Sequence, residues 1–66
     1  MRLWFNGAER ELPDGCSVAD ALATLGAPRS GIAVAVDDDV VPRAEWAGRV
    51  LHEGARVEVL TAVQGG

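Results

Sequence analysis

Only one stretch of this chain, Val18 to Leu25, carries its apolar residues at helical spacing, so whatever sheet the rest forms has a single helix to cover it. Val18, Ala21, Leu22 and Leu25 fall at i, i+3, i+4 and i+7, on one stripe. Ser17 followed by Asp20 supplies an N-cap and an acidic residue near the positive helix end, a weaker relative of the Ser-x-x-Glu capping box. Gly26 suits a left-handed C-terminal cap and Pro28 prevents continuation. The helix is therefore expected to stop near Leu25, after about two and a half turns.

The flanking segments read as strands. Arg2 to Asn6 alternates, with Leu3 and Phe5 on one face and Trp4 on the other. Asn6-Gly7 tolerates positive φ at both positions and predicts a two-residue hairpin, with Ala8 to Leu12 returning antiparallel. Pro13, Asp14 and Gly15 punctuate the chain before the helix. Gly31 to Val36, β-branched and apolar, reads as a strand buried on both faces. Asp37 to Asp39 turns the chain and Val40-Val41 returns it. Pro42 then fits the first position of a helical turn through Trp46, whose indole is expected to pack back on the body. After a turn at Glu53-Gly54, Arg56 to Val63 alternates, with Val57, Val59, Thr61 and Val63 on one face and Glu58, Leu60 and Ala62 on the other. This order is the β-grasp arrangement, an α+β ubiquitin-like fold in which a mixed sheet of four to five strands packs on one main helix. The 66 residues make one domain, with a globular body over 1–63 and a flexible C-terminal tail over 64–66.

Composition narrows the function classes. At 48% hydrophobic and 24% charged, the chain lies in the globular range. A net charge of −4 opposes phosphate backbones and anionic lipid surfaces, so neither nucleic acid nor membrane is expected as a partner. No apolar run approaches the roughly 20 residues of a membrane helix, and Leu3-Trp4-Phe5 is too short for a secretory signal; a cytoplasmic location is expected. Cys16 is the one cysteine, which leaves no internal disulfide and no Cys-rich zinc framework. A buried thiol is the plain reading, and a reactive thiol near a helix N-terminus is the alternative.

Conventional catalytic signatures are missing. All six cationic side chains are arginines, so no Walker-type loop exists and self-linked chains through lysine are impossible. No Gly-x-Gly-x-x-Gly follows a strand. His52, beside Glu53, reads as a solvated turn residue, and no spacing argues for a triad. Asp37-Asp38-Asp39 lacks the glycine and distal glutamate of a calcium loop, and a hairpin turn accounts for it, so no metal is expected. What remains is Gly65-Gly66. Glycine contributes no side chain to packing and loses the most entropy on ordering. Such a terminus is either frayed or a tool, thin enough to thread a narrow channel and deliver the carboxylate of Gly66 to another protein.

Over essentially its whole length the chain resembles the thiamine-pathway sulfur carrier proteins of the ThiS family. The likeness is carried by Phe5-Asn6-Gly7 and by Gly15-Cys16-Ser17-Val18 entering a leucine-bearing helix. It continues in Val34-Ala35-Val36, in Val40-Val41-Pro42-Arg43 with Trp46, and in Val57-Glu58-Val59-Leu60 running to Val63-Gln64-Gly65-Gly66. The Val-Pro-Arg-x-x-Trp segment is the most specific part. It favours this family over the molybdopterin-pathway carriers, which share fold and tail and are usually longer. Asp37 departs from a common asparagine, and Ala55 from a common aspartate.

The resemblance implies a protein co-substrate rather than an enzyme, with no bound cofactor. An adenylating enzyme would use ATP to activate Gly66, and a sulfur donor such as a cysteine desulfurase would convert it to a thiocarboxylate. Thiazole synthase would then take the sulfur, while Gly65 gives clearance. Trp4, Leu60 and Ala62 are expected to form part of an exposed apolar docking patch, because one helix covers one sheet face. The alternatives are a molybdopterin-type carrier, a ubiquitin-like modifier that links Gly66 to target lysines, and a non-covalent β-grasp interaction module.

Overall fold

The computed structural model describes residues 1–28 and 30–61. Strands β1 (Arg2–Phe5) and β2 (Ala8–Glu11) form a hairpin, followed by helix α1 (Val18–Thr24). A second hairpin, β3 (Ile32–Val36) and β4 (Asp39–Val41), leads through a 3₁₀ turn (Arg43–Glu45) to β5 (Arg56–Thr61). The sheet order is β2-β1-β5-β3-β4. β1 and β5 are parallel, and the other neighbouring pairs are antiparallel. The chain's first and last described strands thus meet at the centre of a mixed sheet.

Both hairpin turns put two residues at positive φ. Asn6 and Gly7 lie at 50° and 81°, Asp37 and Asp38 at 51° and 70°. These are the mirror-image turns whose twist matches that of the strands they join. The expected turn at Asp37 to Asp39 is one residue shorter, because Asp39 already pairs with Val36.

The helix is fixed at both ends. The Ser17 hydroxyl accepts from the Asp20 N–H at 3.1 Å, and the Asp20 carboxylate accepts from the Ser17 N–H at 3.1 Å, completing a capping box with aspartate in the glutamate position. Val18 and Ala19 donate their N–H groups to the carbonyls of Arg49 and Trp46, so the usual orphan donors of the first turn are satisfied by the 46–51 segment. At the other end Gly26, at φ 75°, donates to Ala23 and Ala27 donates to Leu22, the paired bonds of a Schellman ending. The helix spans seven residues, about two turns rather than two and a half, since Leu25 serves as its C-cap.

The core lies between α1 and one sheet face. Leu3, Val18, Val34, Val36 and Val57 are its largest fully buried side chains, joined by Leu22, Val41, Trp46 and Leu51. Trp46 packs back as expected, its indole Nε1–H donating to the Val41 carbonyl at 2.9 Å. Two expectations are corrected. β3 is buried on one face only, with Val34 and Val36 inside and Ala33 exposed, because the single helix leaves the opposite face open. Pro42 stands one residue before the helical turn, with extended ψ of 147°, as its N-cap.

Candidate functional site

The strand that leads toward Gly65-Gly66 is the central one. β5 pairs with β3 along its length, from Val57 opposite Val36 to Thr61 opposite Ile32. On its other side β1 accompanies it only at Trp4–Arg56 and Phe5–Val57 before turning away at Asn6. From Glu58 onward β5 therefore has a strand on one side only, with the Asn6 side chain reaching the Val59 N–H at 2.8 Å. Gly65, Gly66 and Ala62 lie outside the described residues.

Register defines the face that α1 leaves uncovered. Residues opposite one another in a sheet point to the same side, so Trp4, Arg56, Glu58, Leu60, Ala33, Ala35 and Val40 share the open face. Leu60 is 70% exposed, Val40 71% and Trp4 40%. Leu60 and Val40 flank Ala33 and Ala35, whose small side chains leave a shallow apolar depression between them. Trp4 sits elsewhere. It is opposite Arg56, about 13 Å along β5 from Leu60 at 3.3 Å per residue. Arg56 and Glu58 stand between them, so the two side chains expected in one patch occupy separate ends of one face. Val40, which sequence reading treated only as a returning strand, belongs with Leu60. The signal that identifies it is its register opposite Ala35.

Charged side chains rim the Trp4–Arg56 end of the sheet. The His52 Nε2 lies 2.6 Å from one oxygen of Asp37, whose other oxygen accepts from the Arg56 N–H at 2.9 Å. Arg56 pairs with Asp38 at 3.2 Å and Arg49 with Asp39 at 3.4 Å. Each carboxylate of the Asp37–Asp39 run thus faces a cationic or N–H donor from the 49–56 segment. Hydrogen bonds from the Arg56 N–H and from His52 hold Asp37 below its ordinary range, and the Asp37 carboxylate raises His52. Cys16 is buried, with its thiol 3.5 Å from the Ser17 carbonyl, and burial pushes that thiol up. This is the environment of an inert thiol, not of a nucleophile.

The model of the ThiS family matches residues 3–66, nearly the whole chain. The chain belongs to the ThiS family. Among its ThiS relatives is a sulfur carrier protein from Thermus thermophilus, 33% identical over 64 residues, covering 97% of this chain and 98% of that protein. The Escherichia coli sulfur carrier protein ThiS is 27% identical over 66 residues, with both chains covered completely. Among solved structures, the crystal structure of a ThiS thiamine biosynthesis protein from Geobacter metallireducens superposes with a TM-score of 0.87, covering all of both chains at 23% identity. An NMR structure of a thiamine biosynthesis protein from the same organism gives 0.78, covering all of this chain and 88% of that one. At that identity the structural likeness is one of fold, and it bears out the β-grasp expectation.

Proposed function

We infer that this chain is a sulfur carrier of thiamine biosynthesis, working as a protein co-substrate through its C-terminal glycines. The observation that carries this is a ThiS match that runs through Gly66 rather than stopping at the body. The chemistry follows from the group available. A carboxylate is a poor electrophile, so its oxygen first attacks the α-phosphorus of ATP in a partner enzyme's site, releasing pyrophosphate and leaving an acyl-adenylate. The terminal sulfur of a cysteine persulfide then attacks the acyl carbon and expels AMP, and a thiol cleaves the resulting S–S bond. Gly66 is left as a thiocarboxylate, nucleophilic at neutral pH, which thiazole synthase consumes.

Within this scheme the body serves recognition. The Leu60–Val40 depression is the apolar part of the open face, and Trp4 offers a second contact at its other end. No helix among the described residues is long and apolar enough to cross a membrane.

The test is intact mass after incubation with ATP, the adenylating enzyme and a persulfide donor. A gain equal to exchange of one oxygen for sulfur is expected in the full chain and not in one lacking Gly66. Loss of the mass gain with an active enzyme, together with recovery of Gly66 linked to target lysines, would point to a protein modifier instead.

A further inference from the structure

In a parallel ladder a residue donates its N–H to one partner residue and accepts through its carbonyl from the residue two further along. Asn6 makes the first of these bonds in the ordinary way, its N–H meeting the Val57 carbonyl at 2.9 Å. The second would come from Val59, but at φ 50° the Asn6 backbone has already swung into the hairpin. The side chain supplies it instead: Asn6 Oδ1 accepts from the Val59 N–H at 2.8 Å. Because the Val59 group is a donor, the amide must present its oxygen here. The carboxamide thus imitates one more rung of β1 after β1 has ended. Past this bond β5 is paired only with β3, as far as Thr61 opposite Ile32.

We propose that Asn6 is a positioning residue for the reacting terminus, its amide oxygen fixing β5 at Val59, in the strand from which the chain continues toward Gly66. This rests on the carrier reading, since the group being aimed is Gly66. Asparagine suits both demands placed on it. It tolerates positive φ, as a hairpin's first turn residue must, and it carries an acceptor of the same kind as the missing main-chain carbonyl.

The experiment compares the full-length chain with Asn6→Gly and Asn6→Asp, using ATP and the adenylating enzyme well below the unfolding temperature of each. Glycine keeps the turn and removes only the acceptor; aspartate keeps both. In Asn6→Gly the Val59 amide is expected to exchange with solvent about fivefold faster, the equivalent of one net hydrogen bond. The kcat for adenylation should fall about twofold or more with KM unchanged, because the docking face is intact and the strand leading to Gly66 is held less firmly. Asn6→Asp should restore both. Unchanged Val59 exchange, unchanged kcat despite faster exchange, or an equal fall in Asn6→Asp overturns the proposal. A wild-type chain that is never adenylated by an active enzyme removes the carrier reading and this proposal with it, an outcome separate from any difference among variants.

Discussion

Asp37 and His52 are 15 residues apart in sequence and 2.6 Å apart in the fold. They lie in a charged neighbourhood that includes Asp38, Arg49, Glu53 and Arg56. His52 is raised above its ordinary 6.5, so the stability it adds is complete below about that pH and fades as pH climbs through the folded value. Asp37 is lowered below its ordinary 3.8, so its contribution is complete above about that pH and fades as pH falls through the folded value. The pair is therefore most stabilising near pH 5. Urea unfolding of wild type and His52→Gln should differ most there, converging above the folded His52 value and again in strong acid. Both side chains are exposed, so the difference is small and should shrink with salt. Asp37→Asn should keep the acceptor for the Arg56 N–H and lose the pH dependence that the carboxylate adds. None of this is legible locally. The sequence marks Asn6 and Asp37 as turn residues, but their bonds to Val59 and Arg56 depend on β5 lying between two hairpins, a fact of tertiary arrangement.

Among the elements, α1 is the most legible, because its stripe, cap and stop are all local signals. Its energetics should follow. Ser17→Ala removes the hydroxyl that accepts from Asp20 and should cost about 1 kcal/mol in urea unfolding. Gly26→Ala should cost about 1–2 kcal/mol, since the φ of 75° is strained for any side chain although the space around it is open. The same capping explains Cys16. The N–H groups that could stabilise a nearby thiolate already bond to Arg49, Trp46 and Ser17, so Cys16→Ala should leave sulfur loading unchanged. β3 departs from the two-sided burial expected of it because Ile-Ala-Val-Ala-Val has the composition of a strand covered on both sides. What distinguishes it is the alternation of valine with alanine, the small residue lying on the open face.

For the whole molecule, the covered face carries the stability and the open face is the proposed docking surface. Leu3→Ala opens a cavity under α1 and should cost about 2–5 kcal/mol, enough to unfold a domain this small at moderate temperature. Leu60→Asp should change stability by only about 0.5 kcal/mol, yet raise KM for adenylation several-fold by placing a charge in the apolar depression. Calorimetry beside steady-state kinetics distinguishes the two. The central pairing of β1 with β5 also has a consequence for biogenesis. Residues 2–5 find their inner neighbour only when residues 56–61 have been made, so almost the entire loop between them must be closed before the sheet has a middle. A nascent chain cannot consolidate this core early, and a fragment that stops short of Arg56 leaves β1 and β3 with facing unpaired edges, open to proteolysis. Because the strand that completes the fold is also the one that precedes the proposed reacting glycines, clearance of unfinished chains is expected to spare only those synthesised at least into that strand.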